Sequence, residues 1–427
     1  MSEKMGFWSV FALVSGAQIG SGIFMLPAAL APYGIYGLVG WIISSCGALA
    51  LCFVFASLCA RFPQTGGPHV YINHLFGSTA AFFTGWTYWI ISWVSTTVVV
   101  IACIGYLHHL LPWHDKISLL MLELVLLTLI TLLNMRGATI TGTVELILTI
   151  VKFIPLTLIP LAALWYFDPL HFVLHASRTG NTTPQLLGHV TLLTLWGFIG
   201  LESATAPADA VDNPSVTIPK AIIWGTICTA LFYVLNYIGI TGLVPAEALM
   251  QSTAPYTDAA QLLFAGNWHL VISLIAAIIC IASLNAWILT SGQIALGLAQ
   301  DKFMPAWLGV TNIYGAPIWA ILISSIGIAP LLILTANDNI AAQIISIIDI
   351  SVIAFVFVYL ICSLGLAKLL WQEPHNGTGF TYICTIMSIG FCSWILCQTA
   401  INTLLIASLF TLSGIPVYLG WYCKKCQ

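Results

Sequence analysis

The sequence predicts an all-α integral membrane protein of about twelve transmembrane helices, and three observations carry that reading. Of its 427 residues, 60% are hydrophobic and only 6% are charged, which excludes a soluble globular domain. Apolar runs of roughly 20 residues, each able to cross a hydrocarbon core about 30 Å thick, recur to the end of the chain. Two of these runs, five spans apart, carry paired glycines near their centres. The spans are expected at about 7–31, 35–60, 79–111, 117–135, 142–166, 187–209, 218–243, 268–300, 317–336, 340–370, 379–398 and 400–422.

The first span reads Ser15-Gly16-Ala17-Gln18-Ile19-Gly20-Ser21-Gly22-Ile23-Phe24 at its middle. A glycine there costs roughly 1 kcal/mol relative to alanine, and an opened backbone has no water to bind at that depth. Non-helical backbone is tolerated only inside protein or beside a wet cavity. Two readings follow. Residues 18–22 break the span into two half-helices around a cavity, or the small residues make a close helix–helix contact. On the first reading the second half-helix begins near Ser21, and its free N–H groups and positive dipole end attract an anion such as a carboxylate.

The third, eighth and tenth spans are long enough to require tilt or an extension beyond the bilayer. The fourth carries Glu123, the fifth Glu145 and Lys152, and the tenth Asp349. Ionisable groups at such depth are costly and are functional candidates by default. The sixth span, Thr194-Leu195-Trp196-Gly197-Phe198-Ile199-Gly200-Leu201-Glu202-Ser203, repeats the glycine interruption and adds an acid. Two interrupted segments at corresponding places point to inverted repeats, here about 7–166 and 187–370, with helices at about 379–422 as an addition within one domain, 1–427.

Lys and Arg in the connections set the orientation. With a cytoplasmic N-terminus the inside receives Lys4, Arg61, Arg136, Lys220, Lys302, Lys368, Lys424 and Lys425, and the outside only Lys116 and Arg178. Both termini are therefore expected in the cytoplasm, with the longest connections, about 167–186 and 244–267, outside. The N-terminus has no signal-peptide pattern.

The net charge of −3 and the lack of a basic stripe give no sign of nucleic acid. Twelve cysteines scattered through apolar segments suggest no disulfide framework. Cys423-Lys424-Lys425-Cys426 reads as a basic juxtamembrane tail. The histidines fall at ends and loops without metal-binding spacing, so no metal or cofactor is expected. There is no Walker A sequence, hence no ATP motor. An enzyme would need a nucleophile–base pair in mid-span, and none is present.

Gly20-Ser21-Gly22-Ile23-Phe24, Trp196 to Ser203, Asn213-Pro214 and Ile218-Pro219 together resemble the amino acid–polyamine–organocation transporters. The similarity is closest to the basic amino acid/polyamine antiporters, of which the arginine/agmatine exchanger is the type member, and it covers essentially the whole chain. It implies a LeuT-like 5+5 inverted repeat, discontinuous first and sixth helices, alternating access, and a bacterial inner membrane. It places a substrate carboxylate at Ser21 and Gly22, beside Ile19 and Gly20, and an α-ammonium at carbonyls of Gln18, Trp196 and Ile199. Trp196 would close over the substrate and Trp287 would stack below it, with cation–π attraction worth about 0.5–2 kcal/mol. Trp41 and Trp421, by contrast, suit interfacial anchors.

The resemblance makes Tyr88 an inner gate and Glu202 a gating and coupling acid. For Glu202 a hydrogen bond tying the sixth span to its neighbours is the alternative. In the third span the side-chain-binding positions are Ile91, Ser92 and Thr96, and an asparagine expected at Thr96 is absent. Asp349 is aligned with the cationic end of a substrate; the alternative is an acid bonded to neighbouring hydroxyls. Lys152 stands where sodium-coupled relatives hold a sodium ion, so it either couples transport to protons or pairs with Glu145. The expected function is exchange of a cationic amino acid for an amine or another amino acid, with proton-coupled amino acid symport as the alternative. The expected partners are that small molecule, protons, the lipid bilayer and, as the candidate assembly, a homodimer.

Overall fold

The computed structural model describes residues 4–108, 110, 115–172, 183–252, 254–264, 266–335 and 340–422. Cys423 to Cys426 and Arg178 lie outside the described residues. The chain runs α1 (Phe7–Gln18), α2 (Gly22–Leu30), α3 (Ile35–Arg61), α4 (Pro68–Phe76), α5 (Ser78–His108), α6 (Lys116–Asn134), α7 (Ala138–Ala163), α8 (Thr183–Leu195) and α9 (Pro214–Leu243). It continues through α10 (Ala246–Gln251), α11 (Pro255–Leu263), α12 (Trp268–Gln300), α13 (Ile318–Thr335), α14 (Ile340–Gln372), α15 (Gly379–Gln398) and α16 (Ile401–Leu412).

Among the described residues, eleven helical stretches are long and apolar enough to cross a membrane. The crossing missing from that count is the sixth, because after its break it does not resume an α-helix as the first crossing does. α8 stops at Leu195, a 3-10 turn covers Trp196–Phe198, and Ile199 is extended at φ −62°, ψ 129°. Gly200 then takes φ +104°, which a side chain would strain. Beyond it only 3-10 turns follow, Ser203–Thr205 and Ala208–Ala210, with Pro207 between them denying the backbone a donor. The sixth crossing therefore has one true half-helix rather than the two that its likeness to the first suggests. The first crossing breaks as expected: α1 ends at Gln18, Ile19 leaves the helix at ψ 88°, and α2 restarts at Gly22.

α12 lies along α5, α3 along α9, and α1 against both α7 and α9. α6, α15 and α16 are the least buried crossings and line the periphery. α5, α12 and α14 have 31, 33 and 33 residues. At about 1.5 Å per residue they exceed a 30 Å core by half again, so they project or tilt. α7 and α9 start four residues before the expected places, because Gly137 (φ +94°) and left-handed Asn213 (φ 45°) make the turns. α4, which hydropathy does not announce, starts at Pro68 behind Gly66 and Gly67, both at positive φ.

The chain ahead of α1 joins the far end of the broken sixth crossing. Met5 N–H donates to Ala210 O (2.8 Å), and Asp212 N–H donates to Met5 O (3.0 Å). On another side of the bundle, α9 approaches α7 closely enough that a Cβ on Gly239 would stand 2.8 Å from Pro160 Cα and 2.9 Å from its carbonyl oxygen. Backbone cannot yield as a side chain can. Gly239→Leu should therefore destabilise the protein by roughly 1–3 kcal/mol, read as a lower thermal midpoint in detergent, while a leucine at outward-facing Cys46 should leave that midpoint unchanged.

Candidate functional site

The two breaks meet. A Cβ on Gly200 would lie 2.8 Å from Ala17 Cβ and 3.0 Å from Trp287 Cζ2, so the unwound part of the sixth crossing rests on the end of α1. Trp287, from α12, also donates from Nε1 to Ala17 O (3.1 Å) and thereby touches both breaks. Around this junction Ala17, Gln18, Gly20, Ser21, Gly22, Ser95, Val99, Trp196, Ile199, Ser283 and Trp287 line one cavity. It measures about 20 Å³, counted as the space the centre of a water molecule can reach, which suffices for about one water. Trp196 covers its α2 wall: a Cβ on Gly22 would stand 3.0 Å from Trp196 Cδ1. Entry of anything larger requires Trp196 or its neighbours to move.

The cavity wall is polar because helix ends make it. The amides of Ser21, Gly22 and Ile23 open α2, whose first bonds run from Phe24 and Met25 N–H to Ser21 O (3.2 Å each). They precede the i→i−4 ladder and so remain donors for an anion. Of the three carbonyls expected to hold a cation, two have partners. Gln18 O accepts from Tyr233 hydroxyl (3.0 Å) and Gly20 N–H (3.1 Å), filling both lone pairs, and Trp196 O accepts from Ile199 N–H (3.3 Å). Among the described residues, Ile199 O accepts no hydrogen bond. Tyr233 itself stacks on Trp41 (centroids 4.3 Å apart), which is 1% exposed. Trp41 is thus core support for the break, not the interfacial anchor its position suggests.

In α5 the helical phase differs from expectation. Ile91 is buried away from the cavity, Ser92 Oγ donates to Trp89 O (2.7 Å) and Thr96 Oγ1 to Ser92 O (2.6 Å). Ser95 and Val99, four residues apart on one face, line the cavity instead. Asp349 is not among the lining residues either. Its charge is felt by Tyr33, past the far end of α2, no hydrogen bond joins the two among the described residues, and its buried Oδ1 has no partner among them. Tyr33 in turn packs on His189 of α8 (centroids 5.7 Å).

Glu202 is fully buried just beyond the second break. Its Oε2 accepts from Tyr359 hydroxyl on α14 (2.6 Å), and Tyr359 oxygen also receives Gly200 N–H (3.5 Å). Tyr88 of α5 is buried on the same side of the acid, and neither its hydroxyl nor Glu202 Oε1 has a hydrogen-bond partner among the described residues. Three crossings therefore converge on one acid. Sequence reasoning names Tyr88 and Glu202 but misses Tyr359, which is one aromatic among many in an apolar helix. Its spacing, ten residues after Asp349, carries no signal.

Lys152 and Glu145 are both fully buried on α7. They interact electrostatically, but no ion pair within 4 Å joins them among the described residues. Lys152 Nζ instead donates to Ser15 O (3.4 Å), in the last turn of α1, where the dipole favours a cation. Glu145 Oε2 accepts from Asn285 Nδ2 (2.9 Å), and its other oxygen lies against Gly16. The simple salt bridge is replaced by two opposite charges flanking the end of one half-helix.

A family model described as amino acid permease matches residues 5–419. The chain belongs to that family. The permease is 29% identical to the putrescine transporter PotE of Haemophilus influenzae over 422 residues, 98% of this chain and 97% of the relative. It is 28% identical to the cadaverine/lysine antiporter of Escherichia coli over 396 residues, 92% and 89% of the two chains. It is 28% identical to the Escherichia coli PotE over 364 residues, 84% and 82%. The permease is thus a multi-pass membrane transporter and not an enzyme.

A hydrogen bond to a buried charged group is worth about 1.5–3 kcal/mol. Tyr359→Phe should therefore lower transport by roughly tenfold or more while the folded protein is retained in detergent. Unchanged transport would remove Glu202 and Tyr359 from the working parts.

Proposed function

We propose that this permease is an antiporter exchanging a cationic amino acid for an amine or another amino acid, by alternating access about the junction of its two breaks. The supporting observation is that junction itself: a helix N-terminus offering amides, an Ile199 carbonyl that accepts no hydrogen bond among the described residues, and two tryptophans lining one cavity. The substrate's carboxylate binds the Ser21 and Gly22 amides, and its α-ammonium binds Ile199 O. Trp196 closes over it and Trp287 carries its aliphatic or cationic part. Tyr88, Glu202 and Tyr359 close the floor. The relatives named for putrescine and for cadaverine and lysine favour diamines and lysine over arginine and agmatine. Residues 7–166 and 187–370 act as the two repeats, with both termini cytoplasmic.

Asp349, set back from the cavity, draws cations toward it. Its carboxylate on the route, rather than in the site, accounts for its place beside Tyr33. Counterflow in proteoliposomes tests the main reading: labelled lysine should enter only vesicles preloaded with lysine, putrescine or cadaverine. Uptake into empty vesicles driven by a proton gradient alone would overturn it. In the same vesicles Asp349→Asn should raise the KM for lysine and diamines several-fold and leave neutral amino acids unaffected; equal losses for both would reject its role.

Proton-coupled symport is the second reading, favoured by the Lys152 ammonium at the Ser15 carbonyl. If Lys152 couples protons, wild-type transport varies with pH and Lys152→Ala transport does not. Identical pH profiles would dismiss coupling through this residue.

A further inference from the structure

Below Glu202 the floor of the site is closed by a part of the chain that the transport reading leaves unused. Gly66 N–H donates to Ala206 O (2.9 Å), and Asp209 N–H donates to Thr65 Oγ1 (3.0 Å). A Cβ on Gly67 would meet Thr205 Oγ1 at 2.9 Å and the Tyr88 ring at 3.8 Å. The α3–α4 loop thus lies directly against the unwound end of the sixth crossing and under the gate tyrosine. Gly66 and Gly67 sit at φ +122° and +77°, a pair with little shape of its own. Something must hold it.

His69 does so. Its side chain is 0% exposed, and Nε2 lies 3.1 Å from Asp301 Oδ2, just past the end of α12. The imidazole stands directly where a Gly66 side chain would be, and its Cβ is 2.8 Å from the Cβ position of Gly85 on α5. Beside it, a Cβ on Gly297 would stand 2.5 Å from Gly66 Cα, so α12 meets the loop backbone to backbone. The other ring nitrogen, Nδ1, is buried without a partner among the described residues. A buried imidazole satisfied on one side only is costly for a residue that merely packs. At the far end of α4, Lys368 Nζ donates to Leu75 O (2.6 Å) from α14 and lies 5.0 Å from the Phe76 ring. A cation at a helix C-terminus is favourable there.

α4 is therefore pinned at its two ends to α12 and α14. The lower part of the unwound stretch that it covers is tied to the chain ahead of α1, through Met5, and its upper part to α14, through Tyr359. A path from the cavity to this face must part these two groups, and the Gly66–Ala206, Thr65–Asp209 and Tyr359–Glu202 bonds cross the line of parting. We propose that His69 is a positioning residue of this seal: by holding Asp301 it keeps Thr65–Gly67 seated on residues 205–209 and so sets how readily the cavity opens to the α4 face. The inference rests on the alternating-access reading above.

The test uses the full chain, wild type, His69→Ala, His69→Gln and Asp301→Ala, with two readouts. In nanodiscs, hydrogen–deuterium exchange should speed up for residues 62–76 and 205–211 in His69→Ala and Asp301→Ala, while α7 and α13 keep wild-type rates. His69→Gln, whose side-chain amide can still donate to Asp301, should restore protection. In proteoliposomes of defined orientation, His69→Ala should lower the KM for lysine measured from the α4 face and raise it from the opposite face by about threefold or more, as a shift in populations requires. Unchanged exchange at 62–76, equal acceleration throughout the chain, or His69→Gln behaving as His69→Ala would each overturn the proposal. Because deuterium uptake needs no substrate, a wild type that exchanges nothing in vesicles would sink the transport reading without touching the seal.

Discussion

Backbone amides and carbonyls cannot be left bare in hydrocarbon, and the arrangement of this protein follows from where it breaks that rule. Two helices open at mid-depth. Each opening is affordable only because the other lies against it: Gly200 rests on Ala17, and Trp287 binds the Ala17 carbonyl while its ring faces Gly200. α9 sends Tyr233 to the Gln18 carbonyl, and Trp41 stacks behind it. Among the described residues, the first amides of α2 and the carbonyl of Ile199 stay without partners after this mutual support, as does Gln18 Oε1. They join Ser95 and Ser283 as polar features of the cavity.

The charges buried in the bundle obey the same logic. Lys152 is placed at the C-terminal end of α1, where carbonyls accumulate, and Glu202 at the unwound end of the sixth crossing, where Tyr359 bonds it. Glu145 is held by Asn285 against Gly16. These three groups lie at or beside a break in regular backbone, where a low-dielectric interior offers oriented dipoles to compensate them, whereas Asp349 sits within the unbroken α14. Glu202 is consequently tied to the second break itself, since it shares Tyr359 with the amide of Gly200.

Much of this was legible along the chain. Hydropathy places the crossings to within a few residues, because the bilayer sets their length and composition. The glycines of residues 20–22 and 197–200 announce both breaks, because glycine in mid-span is costly unless the helix opens. Less legible were contacts set by helical phase. The family resemblance puts Ser92 and Thr96 in the cavity, yet Ser95 and Val99 line it, one residue round the helix, which no composition records. Trp41 looked like an anchor because its place in the span ignores what packs on it. Tyr359 and His69 were silent for the same reason: each acquires its role from a partner more than 150 residues away in the chain.

Composition along the chain is enough to show that it crosses the membrane many times, that its first and sixth crossings are interrupted, and that acids and a lysine are buried among them. These are properties of local composition measured against a hydrocarbon slab, and they need no knowledge of neighbours. Packing settles which carbonyls stay free, which face of α5 meets the cavity, that Lys152 and Glu145 flank α1 rather than clasp each other, and that the sixth crossing never regains its α-helix. Those outcomes depend on the azimuth of one helix against another. Hydrogen-bond partners are assigned there by distances between side chains that are remote in sequence.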